Sequence, residues 1–400
     1  MKTIALAFRY LWSRPLAAAL NLLLLTLGLA SVTFVLLVGE QADKAFERDL
    51  AGIDVVVGAK GSPLQLILAG VFHIDVPPGN IPLSEVKALE KNPQVRTLIP
   101  LSLGDSFQGY RIVGTTPAYI AHYGARLAQG RAWDKPLEAV AGAQAAQAGK
   151  LAAGTSFVGS HGLGGRGEAH GDTPYVVTGV LAPCGCVLDR LILTATESVW
   201  QVHEKATALD EADRKAMEEE REITVALIGY SSPLAAVTFP RYVNAATGLQ
   251  AAAPAMEVTR LLRMVGVGTD VLRGFGAVLL LAAGLSVFIA LWNAVRERRA
   301  DLAMLRMLGA PPARLAALLL CEALWLAILA SIAGLMLGHL LTGLVGFALQ
   351  AEKSLPLTGW YWAATEAWVP AAAIVTAGLA ALIPALGAYR VDVAQLLNSR

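Results

Sequence analysis

The chain has 400 residues, of which 55% are hydrophobic and 16% charged, whereas soluble domains carry about 25% charged residues. A formal net charge of +1, with no basic stripe interleaved with aromatics, gives no polyanion signal, so nucleic acid is not an expected partner. Three cysteines are too few for a disulfide scaffold, and the apolar excess calls for contact with membrane lipids.

Residues 1–14 carry Lys2, Arg9 and Arg14, and residues 15–38 follow as an apolar run broken only by Asn21, Thr26, Ser31 and Thr33. That run exceeds the roughly 20 residues needed to cross a hydrocarbon core. It is also longer than a signal-peptide core, so it is expected to remain as an uncleaved first span. Residues 40–50 are charged and helix-favouring, and extend that helix outward.

Residues 39–273 read as a soluble α+β domain. Short β-rich runs occur at 53–57 (IDVVV), 111–113, 175–180, 191–193 and 223–228, while 83–90 and 210–220 read as helices. The stretch 154–171 holds seven glycines and is expected to be a loop or hairpin projection. Residues 256–272 form a second helical stretch that enters the next apolar run without a Gly/Pro linker. Together with 40–50 it suggests a two-helix stalk.

Three further spans are expected at residues 274–295, 315–350 and 368–389. Arg296, Arg298, Arg299, Arg306 and Arg314 fill the loop 296–314, and Arg390 and Arg400 lie in the tail 390–400, whereas the loop 351–367 carries only Lys353. The positive-inside rule then places both termini and the Arg-rich loop in the cytoplasm and the large domain outside, in the periplasm of a cell with an inner membrane. Trp360, Tyr361, Trp362 and Trp368 suit an aromatic belt at the outer interface. Within the spans, Glu322 and His339 are candidates either for a functional role or for helix–helix hydrogen bonding. Gly334 and Gly338 make a GxxxG pair that permits close helix approach.

The loop RERRADLAMLRMLGAPPAR (296–314) resembles the signature of MacB/FtsX/LolC-type permeases of ABC systems, in which a basic helix with an LRxxGA ending follows the second span. Glu322 matches the acidic residue at the start of the third span. The ending PALGAYRVDVAQLL (384–397) is similar to the closing family pattern, with Val393 where a proline is common. IVGTTPAY (112–119), Gln129-Gly130-Arg131 and YVVTGVLAPCGCVLDRLIL (175–193) echo the family's external domain in order.

The resemblance implies four transmembrane helices with a MacB-like domain between the first two. It also implies a homodimer or paired permease with two copies of a cytoplasmic ABC ATPase, which would hydrolyse Mg-ATP and drive mechanotransmission to the outside. Whether a periplasmic carrier or an outer-membrane channel also takes part is left open by the sequence. The docking face for the ATPase is expected at Leu302, Met304, Leu305, Arg306, Leu308 and Gly309. The task would be export or extraction of a lipophilic, peptide-like or envelope substrate, or FtsX-like control of a partner such as a cell-wall hydrolase.

No catalytic residue is expected. The chain has no GxxxxGK[ST] to cradle ATP phosphates and no GxSxG. His203-Glu204 begins like HExxH, but Thr207 occupies the fifth position. No cofactor is expected to be bound directly: His161, His170, Cys184 and Cys186 have zinc-compatible side chains but no finger-like spacing, so they read first as a glycine-rich loop beside a Cys-x-Cys thiol pair or disulfide, with a zinc site as the alternative left open.

Overall fold

The computed structural model describes residues 3–162, 171–207, 220–351 and 357–390. The chain divides into two compact units. One comprises Met1–Ala42, Met264–Gln350 and Leu357–Arg400, and the other comprises Asp43–Arg263 with Ala351–Pro356.

The first unit is helical. Four helices are long and apolar enough to cross a membrane: Pro15–Leu50, Asp270–Glu297, Pro312–Leu349 and Ala364–Tyr389. A short helix, Thr3–Leu11, precedes the first, and another, Arg299–Met307, sits between the second and third. The first and second spans belong to unbroken helices, Pro15–Leu50 and Pro254–Glu297, as the linker-free sequence around 256–272 predicts.

The core of this unit is built chiefly from alanines and leucines. Ala373, Ala377 and Ala381 recur every fourth position of the last span and are all buried, beside Leu25, Leu29, Ala283, Val287 and Ala327. Four-residue spacing keeps the three alanines on one helix face, which lets neighbouring backbones approach. Larger apolar side chains such as Leu16, Leu281 and Phe347 face outward, as they should where the surroundings are hydrocarbon.

The second unit is the α+β domain. Its strands are β1 (Val55–Ala59), β2 (Ile81–Pro82), β3 (Val95–Phe107), β4 (Tyr110–Thr115), β5 (Leu127–Gly130), β6 (Glu138–Ala141), β7 (Ser156–Phe157), β8 (Ser160–His161), β9 (Tyr175–Leu181), β10 (Leu191–Ala195), β11 (Glu222–Ile223), β12 (Val225–Tyr230) and β13 (Leu249–Ala252). Among the described residues the main sheet runs β13-β1-β12-β3-β4-β10-β6-β9-β5, with β7 on β9 and β8 on β3. Pairing is mostly antiparallel, but β4 with β10 and β6 with β9 are parallel.

Val55, Val56 and Val57 of β1 are all fully buried. Val56 packs in one cluster with Leu66, Leu101 and Leu227, and Val55 and Val57 in another with Ile228, Phe239 and Val243. A strand covered on both faces reads as a continuous apolar run, as the three valines of β1 do. Each strand run read from sequence overlaps a strand, although Ile53 and Asp54 of the first run precede β1, and the 83–90 helix is Leu83–Glu90. Three features differ from expectation. The Gly-rich stretch contains two short strands, β7 and β8, before the residues that lie outside the description. The run 223–228 is split into β11 and β12. The helix expected at 210–220 falls, but for Glu220, outside the described residues.

Candidate functional site

The loop between the second and third spans turns on Arg298. Its Nη1 donates to Glu322 Oε1 at 3.1 Å, and Nη2 donates to the Tyr10 carbonyl at 3.0 Å and to Ser13 Oγ at 2.6 Å. The guanidinium also lies over the Tyr10 ring, 4.5 Å from its centroid. Both Arg298 and Glu322 are largely buried. One planar five-donor group therefore ties the loop to the third span and to the N-terminal segment. Glu322, noted in the sequence as an intramembrane acid, is the buried anion that fixes this junction.

The Arg299–Met307 helix is braced on one side and bare on the other. Leu302 and Ala303 are buried in the bundle, and Leu305 and Arg306 are intermediate. Met304, Met307 and Leu308 are exposed, Leu308 at 80%. Of the residues expected on a docking face, Leu302 is packed into the core, one turn from Arg298, while Met307, absent from the sequence reading, is exposed together with Met304 and Leu308. Gly309 ends the segment at φ +91°, a left-handed conformation that glycine adopts at helix C-termini, and Pro312 begins the next helix.

The two intramembrane glycines meet the first span. A Cβ on Gly338 would lie 2.5 Å from Thr33 Cβ, and one on Gly334 would lie 2.7 Å from Leu29 Cβ, so the GxxxG reading corresponds to a close crossing of the first and third helices. His339, one residue on, has Nδ1 2.8 Å from the Gly359 carbonyl and Nε2 2.9 Å from Glu366 Oε2. Glu366 also accepts from the Ala363 N–H at 2.7 Å. The histidine thus fastens the outer end of the third helix to the 357–367 segment.

Cys184 and Cys186 form a disulfide, which removes both thiolates as ligands, and His170 lies outside the described residues. Asp189 holds the disulfide turn by accepting from the Cys184 and Gly185 N–H groups at 3.0 and 2.7 Å. Asp49 accepts from the Val187 N–H at 2.9 Å. Nearby, Arg111 is buried and donates to the Ala69 and Asp75 carbonyls at 3.1 and 2.7 Å; burial, only partly offset by Asp75, lowers its pKa to about 10. His73, also buried, sits 3.0 Å from the Tyr119 hydroxyl. Burial first, then the charges of Arg111 and Arg190, hold its pKa well below the usual imidazole value.

His161 instead joins Asp105 and His203. Its Nδ1 is 3.3 Å from Asp105 Oδ1, and His203 Nε2 is 3.9 Å from Asp105 Oδ2. Asp105 escaped the sequence reading, and His203 entered it only as the start of a failed HExxH, because three distant segments supply the group.

The FtsX-like permease C-terminal family matches residues 273–393, and the MacB-like periplasmic core domain matches residues 18–239. The periplasmic region of MacB from Actinobacillus actinomycetemcomitans is similar at 11% identity and a TM-score of 0.36, covering 54% of this chain and 95% of that one. The extracellular domain of the noncanonic ABC-type transporter YknZ from Gram-positive bacteria is similar at 12% identity and a TM-score of 0.30, covering 49% and 98%. No curated relative matches the chain. Permeases of this class are membrane components that work with cytoplasmic ABC ATPases. With more than half of its length under the periplasmic-core match and its last third under the permease match, the chain belongs to the MacB/FtsX family of ABC-type permeases.

Proposed function

We propose that this permease transmits the work of a cytoplasmic ATPase to its periplasmic domain, and that the Arg299–Met307 helix is where the ATPase docks. The observation that carries this reading is the apolar triplet Met304, Met307 and Leu308, exposed on a helix whose opposite face is buried. Exposed apolar side chains on a helix at the end of a span, flanked by arginines that favour the cytoplasmic side, need a protein surface to cover them. The Arg298–Glu322 pair gives that helix a stiff attachment, so a push on it is delivered to the third span and the N-terminal segment.

In this proposal both termini are cytoplasmic, two permease copies pair with two ATPase copies, and the helices Pro15–Leu50 and Pro254–Glu297 carry motion outward. The work done outside is extraction or export of a lipophilic or envelope-bound substrate. Binding of the ATPase is tested by co-purification in mild detergent and by stimulated ATP hydrolysis. Met304→Asp with Leu308→Asp should abolish both while leaving membrane insertion intact. Unchanged co-purification and stimulation would reject the docking face.

A further inference from the structure

From the arrangement around Asp105 we infer that Asp105, His161 and His203 form a binding site for a divalent transition-metal ion, with zinc as its representative. One ligand atom from each side chain lies within 4.8 Å of the other two. The site is built by three elements of the periplasmic domain, and each has a local reason to aim its residue there.

Asp105 sits at an irregularity of β3: the pairing of β3 with β4 shifts register between Leu103 and Ser106, and such bulges re-aim side chains. The same stretch of β3 pairs with β8, where His161 stands directly opposite Asp105. Directly opposed residues share a sheet face. The β8 segment is pinned, since Ser106 Oγ donates to the Gly162 carbonyl at 2.5 Å and the Gly162 N–H donates to the Gly104 carbonyl at 2.8 Å. His203 comes from the Thr196–Thr207 helix, one turn after Val199 and so on the same face. Val199 is packed so closely on the sheet that a Cβ at Gly114 would lie 2.6 Å from its Cγ2.

The ligand set suits such an ion. Asp105 is 4% exposed, and its carboxylate faces two imidazoles whose ring centroids lie 5.2 Å apart. A divalent cation can take all three groups as ligands at once, and imidazole with carboxylate is a ligand set that zinc accepts. Metal–ligand bonds of about 2.0–2.1 Å in a tetrahedron place ligand atoms about 3.3 Å apart. The His161–Asp105 separation already equals that, and the half-exposed histidine rings can turn to complete the set around the fixed carboxylate. Three protein ligands leave a fourth position, and His203 lines a cleft of about 810 Å³ together with Ser102, Gly104, Trp200 and Thr224, through which an ion can enter. The disulfide Cys184–Cys186 takes no part.

The test uses the full-length protein in detergent, stripped with chelator and titrated with zinc against a chromophoric competitor, with bound metal counted by mass spectrometry. Wild type should hold one zinc per chain, and zinc should raise its melting temperature. Asp105→Asn, His161→Gln and His203→Gln should each weaken binding by at least about tenfold, as loss of a ligand does when even outer-shell changes cost 10–100-fold. Cys184→Ser with Cys186→Ser should bind as wild type does. If Asp105→Asn fails to fold, the two half-exposed histidine variants decide the matter. No stoichiometric zinc on wild type, or equal affinity in the histidine variants, would overturn the site.

Discussion

In the membrane unit Ala373, Ala377, Gly334 and Gly338 sit at the helix contacts beside buried leucines such as Leu25 and Leu318, while Leu16, Leu281 and Phe347 face outward. In the periplasmic domain large apolar side chains such as Val55, Val56, Leu66, Leu101 and Phe239 fill the core. The difference follows from the solvent. Water drives apolar area inward, at about 25 cal/mol per Å², whereas lipid gives no such drive and leaves close packing and polar pairs to hold helices together. The two regions should therefore fail under opposite kinds of substitution.

The largest effect is expected at Arg298. Arg298→Ala leaves Glu322 buried without its partner, a change that costs about 3–5 kcal/mol where a buried pair is broken, and it also releases Tyr10 and Ser13. The outcome should be loss of monodisperse protein in detergent. Combining it with Glu322→Gln should restore part of the yield, because the orphaned charge is gone. If the double variant is no better than the single, Arg298 acts through packing on Tyr10, not through the ion pair.

The comparison itself is sharpened by a matched pair. Leu101→Ala in the periplasmic core should cost about 2–5 kcal/mol by opening a cavity. Gly338→Val in the membrane unit should cost about 1–3 kcal/mol or more by overpacking, since its Cβ would collide with Thr33. The reverse direction discriminates: Leu281→Ala, on the outward membrane surface, should melt like wild type. Melting of Leu281→Ala as low as that of Leu101→Ala would mean that Leu281 is covered by protein, and the packing contrast would fall.

How much of this was legible in the sequence follows the same division. The spans, the RERRADLAMLRMLG loop and the GxxxG contact were readable because each depends on residues adjacent or periodic in the chain. IDVVV and the 83–90 helix were readable for the same reason. The Ala235–Ala246 helix was missed, since Pro240 lies inside it and proline ordinarily marks an end. The burial of Leu302 was not readable, because an apolar residue in a basic loop has two places to go, inward or onto a partner, and only packing decides. The Asp105–His161–His203 group was unreadable because a bulge, a two-residue strand and a helix bring it together, and no spacing rule encodes that. His203 stood in a failed HExxH, where the absent second histidine hid a different use of the first.

The smallest effect is a pH dependence confined to the periplasmic domain. His73 is buried beside the Tyr119 hydroxyl, and its folded-state pKa lies well below the unfolded value near 6.5 because burial and the charges of Arg111 and Arg190 disfavour the imidazolium. The folded state then binds fewer protons than the unfolded state below about pH 6.5. Stability contributed by the neutral histidine is thus fully present above that pH and declines as pH falls, by up to about 1.4 kcal/mol per unit for one group. His73 also occupies φ +56°, which asparagine tolerates, so His73→Asn removes the titration without forcing the backbone. Thermal melts of the full-length protein from pH 7.5 to 5 should show a shallower acid slope for the variant than for wild type. Parallel slopes would mean that His73 stays neutral in both states over this range or is protonated without unfolding, and that acid sensitivity arises from other groups.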